Sequence, residues 1–251
     1  MTSTIKPLVI AHRGERVLAP ENTIKACQLA LDQGATGLEI DVRICGSGEI
    51  VLIHDPLLQR HFNIRKTVAR TSLKELKALE FPKEEYRFHD RICTLEEILE
   101  EFKGRVPINL DAKSLTFRTG PFAEKLAAII QKMNVKDQVW ISSFNPVLLS
   151  NIKAIQSTIR TGYLFQNPAG IHRIIDFFLT TDAWHPHFKN VSERFIERAR
   201  KLGKEVYIWT VNDKAVLEKI QSFEYHGIIS DRFFRRSPIA MPEAAVGTPS
   251  K

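Results

Sequence analysis

The feature that most constrains this chain is a rhythm of short apolar runs alternating with amphipathic stretches. The runs fall at residues 8–11, 37–44, 106–110, 139–142, 159–164, 183–184, 205–209 and 227–230. Their length suits buried strands. Between them, residues 23–31, 122–133, 146–155, 169–178, 192–202 and 214–221 carry helical spacing. Ser72 and Thr94, each followed three residues later by glutamate, read as capped helix starts, the second reaching to about Lys103. A further run at 50–53 follows the turn Gly46-Ser47-Gly48 and reads as a hairpin return.

Strand–helix alternation implies a parallel sheet, and eight units imply closure into a (β/α)8 TIM barrel. A doubly wound open sheet would want a glycine-rich loop after the first strand, where only Gly14 stands. The 251 residues suit one such barrel, spanning 7–235, with a small insertion after the second strand at about 56–93. The segment 236–251, with Pro238, Pro242 and Pro249, is expected to be a disordered tail.

The net charge of +7 admits nucleic acid, membrane or small anionic substrates as partners. Lys74, Lys77, Lys125, Lys132, Arg198, Arg200 and Lys201 are spread over helix surfaces rather than gathered with aromatics. That distribution argues against a nucleic-acid surface. Cys27, Cys45 and Cys93 are too few and too scattered for a disulfide framework or a zinc site. Met1 to Pro7 resembles neither a signal peptide nor a membrane anchor, so the expectation is a soluble cytoplasmic protein without stable membrane insertion. The sequence does not fix an oligomeric state.

Polar residues at the C-terminal ends of barrel strands face one mouth. Here they are His12 and Arg13, Glu39 and Asp41, His54, Asp111 and Lys113, then Trp209 and Asn212. Glu39 and Asp41 alternate with Leu38, Ile40 and Val42, so both acids project from one face. Three carboxylates inside a barrel are costly unless paired or metal-bound. An all-oxygen set selects a hard divalent cation, Mg²⁺ or Ca²⁺, while Arg13 and Lys113 offer an ionic network as the alternative. His12 and His54 are an acid/base pair for chemistry near neutrality. Arg13 suits a bidentate phosphate contact, Lys113 adds a point charge, and Trp209 is a further candidate substrate contact. His185 and His187 fit a pocket or a loop equally well, whereas His61, His89, His172 and His226 read as surface or packing residues. The chemistry these residues suggest is metal-assisted phosphodiester cleavage.

His12-Arg13-Gly14, Pro20-Glu21-Asn22-Thr23, Glu39-Ile40-Asp41-Val42 and His54-Asp55 together resemble the glycerophosphodiester phosphodiesterase family of metal-dependent barrels. Weaker echoes occur at Leu73-Lys74-Glu75-Leu76, Thr94-Leu95-Glu96-Glu97, Trp209-Thr210-Val211-Asn212 and Ile229-Ser230-Asp231. The resemblance implies His12 and His54 as general acid and base, Glu39 and Asp41 as metal ligands, and Arg13 as a phosphate contact. It implies attack by the neighbouring glycerol hydroxyl on phosphorus, release of the alcohol, and opening of a cyclic phosphate to glycerol 3-phosphate. Two departures stand out. Asp111-Ala112-Lys113 replaces the family's usual Glu-x-Lys, and Arg60-His61-Phe62 stands where Arg-Thr-Thr is usual. Deacylated phospholipids are the substrates so implied. Lysophospholipase D chemistry and an inactive phosphate-binding barrel are the alternatives.

Overall fold

The computed structural model describes residues 6–166 and 179–233. Nine strands form one sheet: β1 (Leu8–His12), β2 (Gly37–Ile44), β3 (Ile50–Leu52), β4 (Ile108–Ala112), β5 (Val139–Ser143), β6 (Arg160–Phe165), β7 (Ala183–Pro186), β8 (Glu205–Ile208) and β9 (Gly227–Ser230). All pairings are parallel except the β2–β3 hairpin, and β1 pairs with both β2 and β9. The sheet therefore closes as an eight-stranded parallel barrel, with β3 folded back outside the ring. The helix expected over 169–178, His172 and the tail beyond 235 lie outside the described residues.

Alternation along the strands sorts side chains into two shells. Leu38, Ile40 and Val42 of β2, with Ile108 and Leu110 of β4, point outward into the layer shared with the helices. Inside the ring, Ile10, Trp140, Ala183, Tyr207 and Ile229 fill the centre, flanked by Leu8 and Trp209. One boundary differs from expectation. The third parallel strand begins at Ile108 rather than at Val106, and so carries Asp111 within the ladder. Pro107 has no N–H to give, and its carbonyl instead accepts the Leu38 N–H at 3.0 Å.

Local signals set the remaining elements. Thr23 caps the helix Ile24–Asp32 by accepting the Ala26 N–H, and Ser72 and Thr94 each form a complete capping box. Gly14, at φ +79°, lies where a Cβ would come within 2.5 Å of the Ala26 carbonyl carbon. The loop leaving β1 can pack against the first helix only because that Cβ is missing. The insertion has a small core of its own, in which Leu58, Val68, Leu76, Phe81 and Ile92 pack on Val51 and Ile53. Among the described residues no helix is long and apolar enough to cross a membrane.

Candidate active site

Strand register builds the site. His12 lies opposite Glu39, and Asp41 opposite Asp111, across neighbouring parallel strands. Parallel partners share a face, so the three acids converge from two strands. Carboxylate oxygens of Glu39, Asp41 and Asp111 come within 4.8 Å of one another, all buried. Closure of the barrel thus brings Asp111 beside Glu39 and Asp41.

Two cations interleave with the acids. Arg13 Nε is 2.9 Å from Asp41 Oδ2, and Lys113 Nζ is 3.1 Å from Asp41 Oδ1 while also bridging to Asp111. Burial pushes the Asp41 carboxyl up, but Lys113 and Arg13 outweigh it and hold Asp41 below the usual carboxylate range. Asp111 is raised, first by burial and then by Asp41, against the opposing pull of Lys113. Glu39 is raised well above its usual value by burial and by the charges of Asp41 and Asp111.

The ionic network read from the sequence thus exists, yet it is incomplete. Three carboxylates face two cations, and Asp111 Oδ1 is buried without a hydrogen-bond partner among the described residues. An excess of buried negative charge with an unpartnered oxygen fits a hard divalent cation held by Glu39, Asp41 and Asp111.

Two histidine–carboxylate pairs flank this cluster. His12 Nδ1 lies 2.7 Å from Asp231 Oδ1, and His54 Nδ1 lies 2.7 Å from Asp55 Oδ1. With each Nδ1 engaged, Nε2 is the atom left for the cavity. Asp231 is itself fixed by Arg16 at 2.9 Å and by Asn212 at 2.6 Å, and Asp55 pairs with Arg60. Burial, aided by Arg13 and Lys113, lowers the His54 pKa despite Asp41 and Asp55.

A cavity of about 220 Å³ joins these groups. His12, Arg13, Glu39, His54, Asp111 and Lys113 surround it, Phe144 and Trp209 give it an apolar wall, and Asn109, Ser142, Leu164 and Ile229 close it below. Of the residues expected at the mouth, all except Asp41 and Asn212 line it, and Asn212 instead donates to Asp231. Asp41 sits behind, fully buried, where it holds Arg13 and Lys113.

Other expectations resolve individually. His185 lines no part of this cavity. It is fully buried in the barrel centre, within hydrogen-bonding distance of the Trp140 indole, and burial pushes its pKa down to about 3. His187 accepts the Lys189 N–H at 3.3 Å and packs edge-on to Trp209. His61 packs against Phe81 and lies 3.7 Å from Glu21, His226 accepts the Val206 N–H, and His89 is exposed.

Several supporting residues carried no expected role. Asn22, at φ +59°, donates to Asp41 Oδ2 and accepts the Asp41 backbone N–H, both at 2.9 Å. Glu21 receives Arg13 at 3.3 Å together with Arg60, tying the β1 loop to the insertion. Arg43 grips the His54 carbonyl through Nε at 2.8 Å and Nη2 at 2.6 Å. The motifs containing Glu21, Asn22, Asp55 and Asp231 were the available signal. Arg43 had none beyond its inward phase on β2.

A profile of the glycerophosphoryl diester phosphodiesterase family matches residues 12–234. A glycerophosphodiester phosphodiesterase of Caldanaerobacter subterraneus subsp. tengcongensis is 33% identical over 232 residues, covering 90% of this chain and 95% of the relative. Among solved structures, an Oleispira antarctica phosphodiesterase in complex with the product sn-glycerol-3-phosphate superposes with a TM-score of 0.80 at 28% identity, covering 90% and 93% of the two chains. A Thermotoga maritima glycerophosphodiester phosphodiesterase gives 0.71 at 26% identity, covering 90% and 95%. Fold and relatives together define a phosphoric diester hydrolase on a TIM barrel. The chain belongs to the glycerophosphoryl diester phosphodiesterase family.

Proposed function

We propose that this chain hydrolyses glycerophosphodiesters to glycerol 3-phosphate and an alcohol, using a divalent cation and the pair His12 and His54. The observation that carries the reading is the convergence of three buried carboxylates, two cations and two carboxylate-anchored imidazoles on one small cavity. The product bound by the Oleispira relative, sn-glycerol-3-phosphate, is of the matching chemical class.

Glu39, Asp41 and Asp111 would hold Mg²⁺ or Ca²⁺, which supplies Lewis-acid stabilisation of the attacking and phosphate oxygens when bound. Arg13 and Lys113 offset the phosphate charge. One imidazole Nε2 takes the proton of the glycerol hydroxyl as its oxygen bonds to phosphorus, and the other gives a proton to the departing alcohol. The second half repeats this exchange in reverse, with water opening the cyclic phosphate. Burial keeps His54 unprotonated near neutrality, which suits the base of the first half. Trp209 and Phe144 shield one side of the cavity from water. Cations recessed in a cavity of about 220 Å³ suit a small-molecule substrate.

The test is turnover of glycerophosphocholine followed by phosphorus NMR. Glycerol 3-phosphate should accumulate with Mg²⁺ or Ca²⁺, stop with EDTA, and be lost in His12→Ala and His54→Ala with the fold intact by circular dichroism. Undiminished turnover in either variant refutes the assignment of roles. Binding without turnover under any metal would leave a phosphate-binding barrel.

A further inference from the structure

The molecule is lopsided in where it exposes apolar side chains. Of the eight large hydrophobic residues exposed among the described residues, Ile155 and Leu202 lie at the ends of helices on the side away from the cavity. Ile64 lies within the insertion, and the other five belong to segments around the mouth. Val17 (75% exposed) sits in the loop after β1, Leu57 two residues beyond Asp55, and Phe144 directly after β5. Leu115 and Phe117, at 80% and 81%, stand in the loop after β4. That loop reads Lys113-Ser114-Leu115-Thr116-Phe117-Arg118-Thr119. It starts in the active site with Lys113 and places two large apolar residues in water, separated only by small polar ones. Phe144 links this patch to the cavity, since it both lines the cavity and packs edge-on to Trp209 at 5.5 Å.

Charge says what covers the patch. The loops 113–119 and 144–146 contain no acid; Lys113 is engaged inward by Asp41 and Asp111, which leaves Arg118, exposed, as the charge the patch presents. Apolar side chains at loop tips beside an arginine have the composition of a lipid–water interface anchor. A protein partner would more usually meet a continuous apolar face with a polar rim. We propose that the rim formed by Leu115, Phe117 and Arg118 docks the barrel mouth on an anionic lipid bilayer, placing the cavity at the headgroup layer. This surface is independent of the chemistry inside the cavity, so the two readings fail separately.

The experiment is co-sedimentation of the full chain with vesicles of phosphatidylcholine containing one-third phosphatidylglycerol, at low and at physiological salt. Leu115→Ser/Phe117→Ser and Arg118→Gln are run beside the unsubstituted protein, with soluble glycerophosphocholine turnover as the control. The expected result is binding to anionic vesicles. The partition coefficient should fall at least about tenfold in the double variant and several-fold in Arg118→Gln, with turnover of the soluble substrate unchanged. Absence of binding to anionic vesicles at low salt overturns the proposal, as does equal binding by the double variant. A concentration-dependent dimer that the double variant abolishes, without vesicle binding, would instead make the patch an interface between copies.

Discussion

Replacing Glu39 by glutamine separates stability from activity in opposite directions. In the metal-free protein Glu39 lies within 4.8 Å of two other buried carboxylates. At an effective dielectric near 20, each like-charge pair at that distance costs about 3.5 kcal/mol. Burial and those neighbours raise the Glu39 pKa in the folded state. The folded protein therefore binds more protons than the unfolded one above the ordinary glutamate pKa, and stability falls as pH rises, by about 1.4 kcal/mol per pH unit. Glutamine keeps an oxygen for the Arg13 N–H, which Glu39 accepts at 3.2 Å, and removes the charge. Urea unfolding in EDTA over a pH series that starts just above the ordinary glutamate pKa should show the unsubstituted protein losing stability until Glu39 ionises, and Glu39→Gln losing less. Saturating Mg²⁺ or Ca²⁺ should stabilise the unsubstituted protein by about 2–3 kcal/mol at a hundredfold excess over its Kd. The variant should gain far less and turn over substrate at a small fraction of the rate. If metal-free Glu39→Gln is the less stable protein at pH 8, or if metal stabilises both alike, the charge-excess argument for the site is wrong.

Three further outcomes follow from neighbouring contacts. Asp231→Asn should lower kcat about 10²- to 10⁴-fold with little change in KM, because an amide no longer holds His12 in the tautomer that leaves Nε2 for the cavity; steady-state kinetics across pH checks it, and an unchanged profile counts against the pairing. Asn22→Ala should weaken metal affinity about 10- to 100-fold by releasing Asp41, as measured by calorimetric metal titration. His185 has a folded pKa lowered to about 3, so the unfolded chain binds the extra proton between about pH 3 and 6.5. Stability from this group is complete above pH 6.5 and drains away below it at about 1.4 kcal/mol per pH unit. His185→Leu should flatten that slope in acid unfolding curves.

Much of the fold was legible because a barrel repeats one signal eight times. The outward residues Leu38, Ile40 and Val42 announce a strand, and their phase alone directs Glu39 and Asp41 inward. The site was legible where chemistry coincides with strand ends, as at His12, His54, Asp111 and Lys113. What escaped depends on backbone geometry that sequence does not spell out. Asn22 reaches Asp41 only because the β1 loop turns through left-handed conformations at Arg13, Gly14 and Asn22. Asp231 meets His12 only through closure of β9 onto β1. His185 remained undecided because alternate residues of a strand face either the barrel centre or the helix layer, and the four residues Ala183–Pro186 are too few to fix the phase.

The insertion of residues 56–93 carries its own apolar core and reaches the site through Arg60, which clasps both Glu21 and Asp55. It is in that sense a detachable cassette. Glu39, Asp41 and Asp111 stand on strands of the barrel itself, and no residue of the insertion lines the cavity. The insertion acts on the site from outside, by fixing Glu21 and Asp55, the partners of Arg13 and His54, rather than by supplying cavity wall.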